Sequence, residues 1–109
     1  MSYRSVFKEN LFAGQNIIVT GGGSGIGRCT AHELAALGAR VVLIGRKQEK
    51  LDAVAAEIAE DGGQALGFSC DIRDEEAVKA AVGEVYKAVE VVHGLVNNAG
   101  GQFPSPLAL

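Results

Sequence analysis

The stretch TGGGSGIG, from Thr20 to Gly27, decides the fold of this 109-residue chain. It follows a short β-branched apolar run from Asn16 to Thr20, which is typical of a strand buried on both faces of a parallel sheet. After it, apolar residues recur at helical spacing until Gly38, a natural helix stop; they are Ile26, Ala31, Leu34, Ala35 and Leu37. The pattern predicts a strand, a glycine loop and a helix. Backbone amides at such a junction favour an anion, and glycine lets its oxygens approach the backbone.

The alternation of strand and helix continues outward from this loop. Residues 40–44 predict a second buried strand, residues 51–58 a second helix, and residues 64–70 a third strand. Asp74 is a predicted N-cap, and a fourth short strand contains Leu95 and Val96. The third helix has an apolar stripe formed by Ala77, Val78, Ala81, Val82 and Val85. We therefore predict an α/β fold, a Rossmann-like doubly wound parallel sheet of about four strands in the order 3-2-1-4, with three helices.

Composition argues against several classes of function. The net charge is −3 and the basic residues form no stripe, so nucleic acid binding has no electrostatic support. Apolar runs are far shorter than the roughly 20 residues that span a bilayer, and no signal-peptide pattern is present. We expect a cytoplasmic protein without a membrane partner.

The cysteines and histidines predict no metal site. Cys29 and Cys70 are too few for a disulfide framework or a metal knuckle, and we expect two reduced, half-buried thiols. His32 and His93 stand alone, without a cluster of further ligands. Both histidines are therefore expected to be structural or surface residues.

Glycine spacing discriminates between nucleotide loops. A P-loop requires G-x-x-x-x-G-K-[ST]; Gly22 and Gly27 have that spacing, but Arg28 and Cys29 follow them. Without the Lys and the hydroxyl, an NTPase is disfavoured. The Rossmann pattern G-x-G-x-x-G also fails, because its sixth position falls on Ile26. The pattern that fits is T-G-x-x-x-G-x-G, and it resembles the short-chain dehydrogenase/reductase family.

The end of the second predicted strand bears on the choice of cofactor. A dinucleotide fold specific for NAD places an acidic residue there to bind ribose hydroxyls. Here Gly45 stands near that position and is followed by Arg46 and Lys47. A carboxylate would repel a 2′-phosphate whereas Arg would hold it, so the stretch predicts NADP(H) over NAD(H). The alternative is two solvated charges opening the second helix, where cations are unfavourable.

Two later stretches match the same family in order and spacing. Asp71-Ile72 comes after the third strand, like the pair that borders the adenine ring in these enzymes. Residues 97–100 match the family's N-N-A-G, which stabilises the sheet centre and contacts the cofactor. Each alone would indicate an ordinary cap or turn. The predicted cofactor-binding residues are Gly21, Ser24, Gly25, Ile26, Gly27, Arg46, Lys47, Asp71, Ile72, Asn98 and Gly100.

The chain departs from the family pattern just before the fourth strand. Where the family commonly has G-x-[IVL]-D-x-L-V-N-N, this chain has Glu90 in place of the Gly and His93 in place of the Asp. We therefore expect the local geometry before that strand to differ from the family's.

The resemblance implies hydride transfer to a carbonyl or enoyl-type small molecule. The family's proton donor is a Tyr followed four positions later by a Lys, together with a Ser and an Asn. Neither Tyr3 nor Tyr86 begins a Y-x-x-x-K, because Phe7 and Glu90 stand four positions on. We assign no catalytic residue.

The domain organisation is predicted from these matches. Residues 1–14 are predicted to form an N-terminal arm, and residues 15–109 a dinucleotide-binding half-domain that is incomplete at its C-terminus. One interpretation is the cofactor-binding fragment of a longer reductase, inactive alone; the other is a stand-alone, non-catalytic dinucleotide-binding module. We favour the fragment, since the fourth strand's edge would otherwise be exposed. The resemblance implies a homo-oligomer, a tetramer or dimer, for the full enzyme.

Two segments suggest a branch of the family. Residues 100–106 extend N-N-A-G in a way similar to peroxisomal trans-2-enoyl-CoA reductases and 2,4-dienoyl-CoA reductases. The opening from Tyr3 to Phe7 resembles that of citronellol and citronellal dehydrogenases. The alternative for the first segment is a proline-containing surface loop.

Overall fold

The computed structural model describes residues 4–98, which form a parallel sheet with helices on both faces. In chain order the elements are β1 (Asn16–Thr20), α1 (Gly25–Ala36), β2 (Arg40–Gly45), α2 (Gln48–Glu60), β3 (Gln64–Ser69), α3 (Glu75–Val89) and β4 (Gly94–Val96). The strand order is β3-β2-β1-β4, and each neighbouring pair is parallel. The predicted α/β class, strand order and three helices are confirmed for this part of the chain.

Two apolar clusters cover the two faces of the sheet. On one face Val41 and Leu43 of β2 pack with Ala31 of α1 and Val54 of α2. On the other face the alternate residues of β2 pack against Ala81, Val85 and Val89 of α3. Because side chains alternate along a strand, the residues of β2 point in turn to the two faces of the sheet, and helices cover both faces. This burial on both faces explains why the sequence of β2 is a continuous apolar run.

The predicted helix positions are confirmed, and two residues of the predicted apolar patterns are exposed. Ile26 is 77% exposed and Val82 is 38% exposed. The residues of α3 that face the sheet are spaced by four, from Ala81 to Val89, so Val82 is rotated by about 100° away from it. Ile26 is the neighbour of Gly27, which is on the buried face of α1, so the Ile26 side chain is likewise rotated away from the buried face.

The two cysteines are not both half-buried as expected. Cys29 is exposed on α1, whereas Cys70, just after β3, is buried. Burial raises the pKa of the Cys70 thiol, and the carboxylates of Asp71 and Asp74 raise it further. The two thiols therefore differ in environment although both are free.

A charged cluster joins α1 to α2. Arg28 donates from Nε to Glu57 Oε1 at 2.8 Å and from its terminal nitrogen to Oε2 at 2.6 Å. His32, which is buried, places Nε2 at 3.0 Å from Glu57 Oε1. The bonds from Arg28, followed by the contact with His32, lower the pKa of Glu57 to about 2. Arg28 stands where a P-loop has its Lys, and its guanidinium is engaged by α2.

The departure from the family pattern before β4 has a specific geometry. Glu90 adopts a φ of 64° and a ψ of −48°, and Val91 N donates to Val89 O at 2.7 Å, which closes a γ-turn. Three residues later, His93 Nδ1 accepts from Asn16 N at 2.9 Å, and His93 N donates to Asn16 O at 2.8 Å. Glu90 thus takes a conformation suited to glycine, and His93 supplies an acceptor where the family has a carboxylate.

The residues before β1 lie against α1. Phe12 N donates to Leu37 O at 2.8 Å, and the Phe12 ring packs at the margin of the α1/α2 cluster. Farther out, the Ser5 hydroxyl bonds the Glu33 carboxylate, whereas Val6 is almost fully exposed. Along residues 4–98, no helix is both long and apolar enough to cross a membrane.

Candidate functional site

An open cleft of about 720 Å³ lies at the carboxyl end of β1, β2 and β3. Parallel α/β sheets characteristically bind ligands at this end of their strands. Seven predicted cofactor-binding residues line the cleft: Gly21, Ser24, Arg46, Lys47, Asp71, Ile72 and Asn98. The fold therefore brings together residues from four separate stretches of sequence.

Three predicted residues are close by without lining the cleft. Gly25 and Ile26 begin α1, where both are exposed. Gly27 is buried one residue further on, and a Cβ built there would stand 2.0 Å from Gly21 O. The close approach of α1 to the loop, and not only access for a ligand, requires this glycine. Gly100 lies outside the described residues.

The loop between β1 and α1 is tightly fitted to its surroundings. Gly21 has a φ of +69°, which a residue with a side chain rarely adopts. At Gly22 and Gly23 a Cβ would come within 2.7 Å of Leu43 and 3.1 Å of Lys50, respectively. Because these residues have no side chains, the loop exposes its backbone to the cleft.

The N-terminus of α1 faces this loop without a side-chain cap. Ser24 is the N-cap residue, with an extended backbone, but its hydroxyl makes no capping hydrogen bond. No acidic residue occupies the first turn of α1. Donors at this terminus are therefore not already satisfied by Ser24, which suits an anion.

The ends of β1 and β4 are joined by the side chain of Thr20. Its hydroxyl donates to Val96 O at 3.3 Å and accepts from Asn98 N at 3.0 Å. Asn98 in turn donates from Nδ2 to Gly21 O at 3.3 Å. The first residue of T-G-x-x-x-G-x-G and the second Asn of N-N-A-G are thereby held together. Sequence reasoning did not assign Thr20 to the site, although Thr opens the motif.

Positive charge is concentrated on one wall of the cleft. Arg46, Lys47 and Lys50 all line it, and all three are exposed. Within residues 4–98 none of the three side chains forms a hydrogen bond or a salt bridge. These cations are consequently available to an anionic ligand.

The backbone of the loop that carries Arg46 and Lys47 is tied to β3. Ser69 Oγ donates to Arg46 O at 3.0 Å. Gln48, the first residue of α2, accepts from Ser69 N at 3.0 Å and donates to Gly67 O at 3.2 Å. Two side chains thus fix the main chain of the loop, while its cationic side chains extend from it.

One carboxylate lines the cleft among the described residues, and a neighbouring arginine engages it. Arg73 donates from Nε to Asp71 Oδ1 at 3.1 Å and from a terminal nitrogen to Oδ2 at 2.9 Å. Its backbone N–H also donates to Oδ1 at 3.0 Å. These bonds lower the pKa of Asp71 to about 2, and the more distant charge of Arg46 acts in the same direction.

Sequence reasoning missed several residues that line the cleft. They are Gly23, Ile44, Gly45, Lys50, Leu51, Cys70 and Arg73. Lys50 lies in the first turn of α2, three positions after the N-cap residue Lys47, and this proximity could have found it. Arg73 directly follows the Asp-Ile pair, but no family motif marks it.

The residues present fit an anionic dinucleotide. The cleft has a volume typical of small-molecule sites, and it combines an uncapped helix N-terminus with three cations whose side chains have no partner within residues 4–98. In the described part of the chain, no group of His, Cys, Asp and Glu is arranged to hold a metal ion.

Comparison with curated proteins places this chain among reductases and dehydrogenases. It is 42% identical over 96 residues to a fatty acyl-CoA reductase of Acinetobacter baylyi, covering 88% of this chain and 32% of that protein. It is 38% identical over 90 residues to a probable 2,4-dienoyl-CoA reductase of Bacillus subtilis, covering 83% and 35%. The chain thus spans about a third of the length of these relatives.

Solved structures resemble the chain over nearly its whole length. A citronellol catabolism dehydrogenase of Pseudomonas aeruginosa is 64% identical with a TM-score of 0.87, covering 97% of this chain and 43% of that one. A metagenomic short-chain oxidoreductase in complex with NADP is 45% identical with a TM-score of 0.79, covering 88% and 44%. An NAD+-bound xylitol dehydrogenase is 37% identical with a TM-score of 0.80, covering 84% and 35%.

These likenesses confirm the resemblance that the four sequence stretches indicated, including that to the dienoyl-CoA reductase and citronellol branch. A family model described as short chain dehydrogenase matches residues 15–108. Since this match spans most of its length, the chain belongs to the short-chain dehydrogenase family.

Proposed function

We propose that this chain is the NADP(H)-binding part of a short-chain reductase that transfers hydride to a carbonyl or enoyl-type substrate. In this proposal residues 15–109 form the dinucleotide-binding half-domain and residues 1–14 an arm. The 109 residues contain no Y-x-x-x-K, so we expect the chain alone to bind the cofactor without turnover.

One observation carries the preference for the phosphorylated cofactor. Gly45 ends β2 without a carboxylate, and Arg46 and Lys47 beside it have no partner within residues 4–98. A ribose 2′-phosphate meets no repelling carboxylate at Gly45, and a guanidinium can bind it by charge-assisted hydrogen bonds. An NAD-specific site would place an acid here for the ribose hydroxyls.

The other residues have roles suited to the rest of the cofactor. The loop from Gly21 to Gly27 and the uncapped start of α1 would hold the pyrophosphate. Asp71 and Ile72 would border the adenine. Asn98 and Gly100 belong to the match with the family's N-N-A-G, which contacts the cofactor. When bound, the cofactor supplies or accepts the hydride.

The relatives support the proposal without deciding the phosphate preference. One similar structure is an NADP complex and another is NAD+-bound. The proposed substrate class follows from the family resemblance, and it is supported by relatives that include acyl-CoA and dienoyl-CoA reductases and a citronellol catabolism dehydrogenase. A homo-oligomer in the cytoplasm is part of the same proposal.

The test is a pair of dissociation constants, for NADPH and NADH, measured by calorimetry on the 109-residue chain. We expect NADPH to bind at least about tenfold more tightly, since charge-assisted hydrogen bonds contribute about 1.5–3 kcal/mol. Arg46→Asp should abolish or invert this preference. The matched control is Lys87→Asp, because Lys87 is an exposed cation near the end of α3.

Three results would contradict the proposal. The chain binds neither dinucleotide, it binds NADH as tightly as NADPH, or Arg46→Asp leaves the ratio unchanged.

A further inference from the structure

We propose that Arg73 is a positioning residue for cofactor selectivity: it clamps Asp71, and thereby leaves Arg46 free for the 2′-phosphate. The inference rests on the proposed function and deepens it. It assigns a role to a residue that the family motifs do not mark and that need not touch the cofactor.

Positively charged side chains outnumber negatively charged ones among the described residues that line the cleft. Three cations and Arg73 share it with a single carboxylate among the residues that line it, Asp71. That carboxylate is ionised at any physiological pH, since its pKa is held at about 2. An ionised carboxylate in a phosphate site has two effects: it repels the phosphate, and it competes for the cation that should bind it.

The clamp on this carboxylate has a bidentate geometry. Arg73 engages both carboxylate oxygens of Asp71, at 3.1 Å and 2.9 Å, from two positions further along the chain. The Arg73 N–H adds a third bond to Oδ1, at 3.0 Å. Arg46 affects Asp71 only through its charge and forms no hydrogen bond or salt bridge with it. Arg73 therefore binds the Asp71 carboxylate directly, whereas Arg46 acts on it only at a distance.

Removal of the clamp would change the balance between Asp71 and Arg46. Without the Arg73 guanidinium, the charge of Asp71 is no longer offset, and Arg46 is the other described arginine whose charge acts on it. Pairing between Asp71 and Arg46 would then oppose phosphate binding, whereas a cofactor without the 2′-phosphate would be little affected. The clamp is mostly exposed, with Arg73 75% accessible, so its effect is modest in size.

The experiment measures the ratio of NADPH to NADH affinity for the 109-residue chain and its variants by calorimetry. Arg73→Gln should lower the ratio by about fivefold, as expected for an exposed ion pair. The double variant Arg73→Gln/Asp71→Asn should restore the ratio to the wild-type value or above, because the competing carboxylate is gone. Lys87→Gln, which removes an equal charge far along α3, should leave the ratio unchanged.

A second probe isolates the phosphate from the nicotinamide half. Adenosine 2′,5′-bisphosphate and 5′-AMP should reproduce the same ratios, because they differ at the 2′ position. An effect of Asp71 on adenine binding would change the affinity for both ligands equally, so it would cancel in the ratio.

The inference and the proposed function fail in different ways. A wild-type preference for NADPH that Arg73→Gln leaves intact overturns the inference alone. So does an equal loss for both cofactors, or a double variant that stays low, since each indicates a merely structural role for Arg73. A wild-type chain without the NADPH preference overturns the proposed function and the inference with it.

Discussion

Polar side chains at the amino end of the parallel sheet are bonded to the fold, whereas the cationic side chains at its carboxyl end are not. At the amino end, the Asn16 side chain donates to Val91 O and Val89 O and accepts from Arg40 Nε at 2.9 Å. At the carboxyl end, Arg46 and its neighbouring lysines form no such bonds with the described residues. Like charges collected in one cleft repel one another, so they do not stabilise the fold.

The difference separates stability from binding within one small sheet. Side chains at the amino end join strands and a helix terminus to each other, and changing them should alter the free energy of unfolding. The cationic side chains at the carboxyl end line a cleft, and changing them should alter ligand affinity. Thr20, Asn98 and Gly27, at the same end, hold the loop and the strands together, so changes there should alter stability as well. Four substitutions probe this contrast, from the largest expected effect to the smallest.

Gly27→Ala should destabilise the chain by about 3 kcal/mol, the upper range for overpacking. The added Cβ would stand 2.0 Å from Gly21 O, a backbone atom, and 2.6 Å from Asn98 Nδ2, which is hydrogen-bonded to that same oxygen. Urea unfolding measures the change. Gly83→Ala is the matched control: Gly83 lies within α3 with nothing within 4 Å, so the chain should gain about 0.5–1 kcal/mol. Equal effects at both positions would contradict the packing argument.

Asn16→Ala should cost about 2 kcal/mol, because three hydrogen bonds of the amino end are lost together. The ratio of NADPH to NADH affinity should not change. Gln64→Ala at the start of β3 removes an exposed amide and should stay within about 0.5 kcal/mol of wild type. A changed cofactor ratio in Asn16→Ala would break the proposed separation of the two ends.

Glu90→Gly should raise the free energy of unfolding by about 1 kcal/mol. The γ-turn at Glu90 places a side-chain-bearing residue at a φ of 64°, and glycine adopts this region without the same steric cost. Glu90→Ala keeps the Cβ and should give no gain. Thermal unfolding of the two variants side by side distinguishes relief of backbone strain from loss of the carboxylate.

Lys50→Gln should leave the free energy of unfolding within about 0.5 kcal/mol of wild type, as expected for an exposed residue whose side chain has no partner among residues 4–98. Its NADPH affinity should fall about threefold, by the modest contribution of one exposed charge. A larger change in stability than in affinity would place Lys50 with the residues of the amino end.

The fold was predictable because its signals are local. The glycine stretch, the apolar runs and the cap at Asp74 each lie within a few residues, and the structure confirms the elements they predicted. Periodicity locates a helix but does not tell which residues of its apolar pattern are buried. Ile26 and Val82 fall within apolar patterns, yet each lies one residue away from the face that packs on the sheet.

The site was less predictable because its contacts join distant residues. Thr20 and Asn98 are 78 positions apart, so nothing near Thr20 indicates that its hydroxyl accepts from Asn98 N. The partner of Arg28 is similarly remote, on α2. Family motifs located Arg46 and Asp71, but they carry no information about how Arg73 engages that carboxylate. The preference for NADP(H) stays a prediction.

The bridge from Gln48 to β3 has a consequence for how copies of the chain meet in solution. β3 is an outer strand of the sheet, and an outer strand offers its amides and carbonyls to any other molecule that can add a strand. Gln48 occupies the N–H of Ser69 and the carbonyl of Gly67. The Gln48 side-chain amide thus makes hydrogen bonds that an added strand would make, and it thereby disfavours aggregation by strand addition at the β3 edge.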